Sequence, residues 1–161
     1  MMSKQKVNFY LIVIFFIILA TLSSAFIIEY VLGYKPCNLC LYQRIPYIIS
    51  IFLIIEILVI KKYVKTTLAL LSFTFILSSF LAFYHFGIEQ GFFNESFVCE
   101  SKNLSEKISN KQLLEELKNN TVRCKDVSFQ VLGLSLASIN IIFSAILSAI
   151  FIRLLLNYEK N

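Results

Sequence analysis

Val7–Ile28 is a stretch of 22 residues without a single charged side chain. Coiled as an α-helix it measures about 33 Å at 1.5 Å per residue, enough to cross a hydrocarbon layer about 30 Å thick. Three further apolar runs follow: Leu41–Ile60, Thr66–Ile88 and Val127–Ile152, the last free of charge over 26 residues. Hydrophobic residues make up 58% of the 161, and charged residues only 16% against roughly 25% in an ordinary soluble domain. A water-soluble fold of this size has too little interior for that much apolar surface, so lipid is the expected solvent. The expected fold class is an all-α membrane protein, a bundle of four transmembrane helices forming one domain over residues 1–161.

Each run has its own signals. Lys4 and Lys6 precede the first, as they would a signal peptide. That run exceeds the usual signal core of about 7–15 residues, however, and closes on no small-x-small site, so an uncleaved anchor is expected. The second run carries Arg44, Pro46 and Glu56; Pro46 fits a first helical turn, where its missing N–H is not needed. The third holds His85, the one histidine of the chain, near its end.

Lys and Arg set the orientation. Lys4 and Lys6, then Lys61, Lys62 and Lys65, then Arg153 and Lys160 lie on one side of the four spans. The short link 33–40 on the other side has only Lys35. The positive-inside rule puts both termini and the middle link in the cytoplasm and the links 33–40 and 89–126 on the periplasmic side. The long link has six basic and seven acidic residues and is nearly neutral. Within it, Ser109 and Gln112 resemble a capping box and Leu113, Leu114 and Leu117 an apolar face, so a short surface helix is expected there. The formal charge of +5 comes from residues at the ends of apolar runs, not from an aromatic-interleaved patch, which speaks for membrane topology and against nucleic acid.

Cys37, Cys40, Cys99 and Cys124 all fall in the two links assigned to the outer face, where disulfides persist. Cys37 and Cys40 form a C-x-x-C motif at the start of a helix, and Arg44 follows one turn after Cys40. The helix N-terminus and the guanidinium both favour a thiolate, expected at Cys40, so a redox-active pair is one reading. Two purely structural disulfides in a tetraspan scaffold is the other. Zinc sites usually join two such motifs, haem attachment needs a histidine where Leu41 stands, and no inverted repeat marks a transporter, so no metal is expected. Spacing alone does not choose between a structural and a transferable disulfide at Cys99 and Cys124. His85 is either an interface histidine bonded to backbone or a functional intramembrane group.

The chain resembles the disulfide bond formation protein B (DsbB) family of bacterial inner-membrane thiol oxidases. The match lies in Pro36-Cys37-x-x-Cys40-x-Tyr42-x-Arg44, in Tyr84-His85-x-Gly87-x-Glu89, in Cys99 and Cys124, and in Leu132–Ala137 opening the fourth span. The resemblance implies a protein that reoxidises a periplasmic DsbA-type thiol oxidase and passes the electrons to membrane quinone, ubiquinone or menaquinone. It implies redox-active disulfides Cys37–Cys40 and Cys99–Cys124, with Cys99 forming the mixed disulfide with the partner. Cys124 then attacks the first pair, and Cys40 donates to the quinone beside Arg44, with His85 near the quinone carbonyls. It assigns no firm role to Glu89 or Glu56.

Overall fold

The structure is a computed structural model that describes residues 4–94, 99, 124–125, 129–131 and 133–158. The expected surface helix at 109–117 lies outside the described residues. Helix α1 (Lys4–Phe26) runs on into a π-helical turn, Ile27–Val31, and ends before Gly33, whose φ of 77° is a left-handed value that glycine adopts without strain. A short helix α2 (Asn38–Tyr42) leads through a turn at Gln43 and Arg44 into α3 (Ile45–Ile60). Helix α4 (Val64–Glu89) follows. A minimal hairpin, β1 (Gln130–Val131) with β2 (Leu134–Ser135), then precedes α5 (Leu136–Asn157).

Four helical stretches of the described residues are long and apolar enough to cross a membrane: Gln5–Val31, Asn38–Ile60, Val64–Glu89 and Leu136–Asn157. The first three overlie the runs expected from sequence. The second is broken near its start, because Pro46 has no N–H to continue the ladder and restricts the residue before it. The fourth departs more: its helix starts at Leu136, not Val127, and continues to Asn157, beyond the expected Ile152. Gly133, at φ 81°, turns the hairpin, and the Ser135 hydroxyl caps α5 by accepting the Ser138 N–H at 3.2 Å. At the other end Arg153 does not stop the helix, since a long basic side chain can carry its charge to the interface.

A seam of Val7, Leu11, Ile14, Ile18 and Leu22 on α1, spaced three or four apart, packs into the same core as Ile54, Leu68, Leu71, Phe75, Leu147 and Phe151. Phe75 and Phe151 stack with centroids 5.6 Å apart, and Tyr47 meets Phe75 edge-on. Large apolar side chains such as Phe16, Phe52 and Phe80 face outward, the arrangement lipid requires. Inside, Ser50, Ser78 and Ser144 are buried, small residues that let helices approach closely.

Candidate functional site

Cys37 occupies the N-cap position of α2, and its Sγ accepts the backbone N–H of Cys40 at 3.3 Å. Both cysteines are free thiols with their sulfurs 2.8 Å apart, and Nε2 of His85, reaching across from α4, lies 3.4 Å from Cys37 Sγ. The hydrogen bond from the Cys40 side chain, together with the His85 ring and the Cys40 N–H, holds the Cys37 thiol down to about 4 against the opposing effect of burial. Cys37 is therefore the thiolate at neutral pH. The sequence pointed to an anion at Cys40; in the reduced pair the contacts that favour one gather on Cys37 instead, chiefly the Cys40 side chain and then the His85 ring, with the Cys40 N–H adding the least.

The ring of His85 is oriented by a chain of side chains. Asn140 on α5 donates Nδ2–H to Gln43 Oε1 at 2.9 Å, and Gln43 Nε2 stands 3.0 Å from His85 Nδ1. Because the Gln43 oxygen is occupied, its nitrogen is the donor to Nδ1, and the ring proton resides on Nε2, facing Cys37. The chain continues downward: the Tyr47 hydroxyl donates to Asn140 Oδ1 and contacts Ser144 Oγ at 3.2 Å, and Ser144 meets Ser78 at 3.1 Å. His85 is only 2% exposed and Gln43 7%, so these bonds form away from water. Glu89, one turn after His85, brings Oε1 within 3.7 Å of Nε2, while its buried Oε2 has no hydrogen-bond partner among the described residues.

A cavity of about 360 Å³ opens beside the dithiol, bounded by α1, the α2–α3 turn and α5. Leu22, Ala25, Ile28, Ile139 and Phe143 give it apolar walls; Glu29, Cys40, Gln43, Arg44 and Asn140 give it a polar mouth. Arg44, whose spacing from Cys40 implied an approach to that sulfur, has its charge partner in the π-helical turn after α1. Its guanidinium pairs with Glu29 at 2.5 Å and lies 5.0 Å from the centre of the Phe26 ring. The π-helical turn carries Glu29 into that position, a use such turns often have at functional sites. His85 lies behind Gln43, one side chain removed from the cavity lining.

Cys99 and Cys124 are joined as a disulfide with Cα atoms 5.4 Å apart. They pack with Cys37, Leu39 and Ile88 in one buried cluster, and the Cys124 backbone hydrogen-bonds the His85 ring. The structure thus brings together all four cysteines and His85 and sets Arg44 across the cavity. Glu29, Gln43 and Asn140 were not singled out from sequence. Glu29 directly follows the first apolar run, Gln43 precedes Arg44, and Asn140 sits inside the fourth apolar run, and none of these positions signals its contacts by residue type.

Residues 7–154 match the family described as Disulfide bond formation protein DsbB. The chain is also 30% identical over 161 residues to the "Uncharacterized protein RP370" of Rickettsia prowazekii (strain Madrid E), covering 99% of this chain and 93% of that protein. No solved structure matches. A family match spanning almost the whole chain, over a four-helix fold with its dithiol at one end, leads to one conclusion: this chain belongs to the DsbB family and is a membrane protein of disulfide bond formation.

Proposed function

We propose that this protein reoxidises a soluble DsbA-type dithiol protein and passes the two electrons to a membrane quinone. The observation that carries the reading is a dithiol whose second sulfur, Cys40, lines an apolar cavity of about 360 Å³ with a polar mouth. Such a cavity suits a flat ring with a lipid tail. A bound quinone supplies a two-electron, two-proton acceptor, ubiquinone or menaquinone by class. Arg44 and Gln43 are the residues that would hold its head group, with His85 steadying Gln43 from behind.

The cycle begins when a thiolate of the partner attacks Cys99 and Cys124 leaves as a thiolate. The partner's second thiol then releases Cys99, and the partner departs with a new disulfide. Cys124 attacks the oxidised Cys37–Cys40 pair at Cys37, Cys40 leaves as a thiolate, and Cys99 closes the Cys99–Cys124 bond again. The reduced Cys37–Cys40 pair that results has the same redox state as the structure: first pair reduced, second pair bonded. Re-forming the Cys37–Cys40 bond delivers two electrons and the Cys40 proton to the acceptor, whose second proton comes from solvent.

The energetics favour this direction. A DsbA-type partner is itself a strong oxidant, at about −120 mV, so its reoxidation needs a still stronger acceptor. Each 30 mV of difference contributes about 1.4 kcal/mol for two electrons. The charge asymmetry supports a bacterial inner-membrane placement with both termini cytoplasmic and the cysteines periplasmic. Anaerobic mixing of the protein, reduced partner and quinone tests the proposal. Loss of quinone matched to partner oxidation is expected; an unchanged quinone spectrum overturns it.

A further inference from the structure

We propose that the reduced Cys37–Cys40 pair, together with His85 and Glu89, is a binding site for a zinc-class divalent cation. The sulfur atoms of Cys37 and Cys40 and a ring nitrogen of His85 all lie within 4.8 Å of one another. Glu89 stands beside this group: a carboxylate whose side chain is 6% exposed, with Oε1 3.7 Å from His85 Nε2 and Oε2 buried without a hydrogen-bond partner among the described residues. A buried carboxylate oxygen left unsatisfied is a group waiting for a cation or a proton donor.

The distances suit a small tetrahedral ion. With zinc–sulfur bonds of about 2.3 Å and zinc–nitrogen bonds of about 2.0–2.1 Å, tetrahedral angles place sulfur and nitrogen about 3.6 Å apart and the two sulfurs about 3.8 Å apart. Cys37 Sγ and His85 Nε2 already stand 3.4 Å apart. The sulfurs, at 2.8 Å, must open by about 1 Å, within reach of a small rotation of the Cys40 side chain. Two thiolates and an imidazole, with the Glu89 carboxylate beside the histidine, form a donor set that favours zinc over magnesium or calcium, which seek six or more oxygens.

The surrounding hydrogen bonds accommodate the change. Ligation needs a bare Nε2, so the ring proton must move to Nδ1. Gln43, Asn140 and Tyr47 each hold both a donor and an acceptor, so their chain can reverse, giving up the bond from Ser144 Oγ to Asn140 Oδ1. Nδ1–H then donates to Gln43 Oε1, Gln43 to Asn140 Oδ1, Asn140 to the Tyr47 oxygen, and Tyr47 to Ser144. A ligating histidine whose other nitrogen donates to a carbonyl is the usual arrangement at zinc sites. No electrons move on binding. With Cys37 already ionised, the Cys40 proton is the one released.

The site exists only in the reduced pair, because the Cys37–Cys40 disulfide offers no thiolate. A ligated sulfur cannot close that disulfide, so the cation acts as a brake on thiol oxidation; this consequence, unlike the site, rests on the proposed function. The test uses the full chain in detergent, reduced and freed of reductant anaerobically, and titrated with cobalt(II) followed by zinc. One equivalent of cobalt with thiolate charge-transfer absorbance, displaced by zinc and not by magnesium, is expected. Cys37→Ser, which keeps the Cys99 and Cys124 thiols, is expected to lose the tight site, and Glu89→Gln to weaken it about tenfold or more.

Absence of the absorbance in the unaltered chain, or equal affinity in Cys37→Ser, overturns the proposal; equal affinity in Glu89→Gln overturns the four-ligand site. A check free of substitutions is alkylation of the unaltered chain. Zinc is expected to protect both Cys37 and Cys40, and free modification of either overturns the proposal. The titration needs neither partner nor quinone. Tight zinc without quinone reduction therefore refutes the oxidase alone, and quinone reduction without tight zinc refutes the cation site alone.

Discussion

Gln43 and His85, 42 residues apart in sequence, meet through a 3.0 Å hydrogen bond that fixes which ring nitrogen faces the Cys37 sulfur. Neither residue type is unusual at a helix end. Their pairing makes the His85 ring a directed N–H donor beside the Cys37 sulfur. Replacing Gln43 by Leu frees the ring to take the other tautomer, so Cys37 is expected to lose part of its anionic character. The measurement is the pH profile of Cys37 alkylation, mapped by mass spectrometry. Its midpoint is expected to move up, slowing the reaction about tenfold at fixed acidic pH for each pH unit moved. An unmoved midpoint would show that the amide serves packing alone.

The low Cys37 value carries its own redox signature. Above about 4, reduction of the pair takes up one proton, at Cys40, because Cys37 remains ionised. The potential of the pair is then expected to fall by about 30 mV per pH unit, half the slope of a pair that takes up two protons. Below that value Cys37 protonates, the advantage of the depressed thiol is lost, and the slope doubles. Equilibration with thiol–disulfide buffers across mildly acidic to neutral pH measures it. A full two-proton slope at neutral pH contradicts the assignment of the anion.

Arg44→Ala removes the partner of Glu29 and leaves that carboxylate half-buried at the cavity mouth. Quinone reduction is expected to suffer more than partner oxidation, with KM for quinone rising about tenfold, equivalent to about 1.4 kcal/mol. Steady-state kinetics with quinone and partner varied separately distinguish the two. Equal loss in both would assign Arg44 to the fold.

Covalent trapping examines the other pair. A DsbA-type partner lacking its second cysteine is expected to accumulate as a mixed disulfide with Cys99, visible on a non-reducing gel and absent in Cys99→Ser. Trapping at Cys37 or Cys40 instead would reverse the order of transfer.

At the end of α4 the Phe93 ring leaves no room over Gly87: a Cβ there would meet Cδ2 and Cε2 of that ring. Phe92 and Phe93 both donate their N–H groups to the Gly87 carbonyl, and the Phe93 ring stacks on Tyr84 at 5.7 Å. Gly87→Ala is expected to displace the ring and destabilise the protein by about 1 kcal/mol, the scale of a lost aromatic pair. Adding Phe93→Ala is expected to remove the clash, so the two effects would not add in thermal unfolding.

The four spans were legible because the penalty for charge in hydrocarbon writes itself into composition, residue by residue. Val7–Ile28 and Thr66–Ile88 lie within helices of nearly the same extent. The fourth span was misplaced by nine residues at its start because Gly133 and Ser135 act through backbone conformation, which hydropathy does not register. At the site, the C-x-x-C motif, Arg44 and His85 could be picked out by residue type. Glu29, Gln43 and Asn140 could not, since their importance comes from contacts between helices far apart in sequence, such as Asn140 to Gln43. Which sulfur the contacts favour as the anion was likewise a matter of geometry: it depends on where the Cys40 side chain and the His85 ring, 48 residues from Cys37, come to lie.

In the proposed cycle, an intact Cys99–Cys124 bond packed in the same cluster as a reduced Cys37–Cys40 pair would let arrival and discharge occur at different times. A chain so built has room for a second delivery while the first still waits at the membrane, like a two-place queue. Intermittent supply on one side and a fluctuating lipid pool on the other can then be joined without either stalling the other at once.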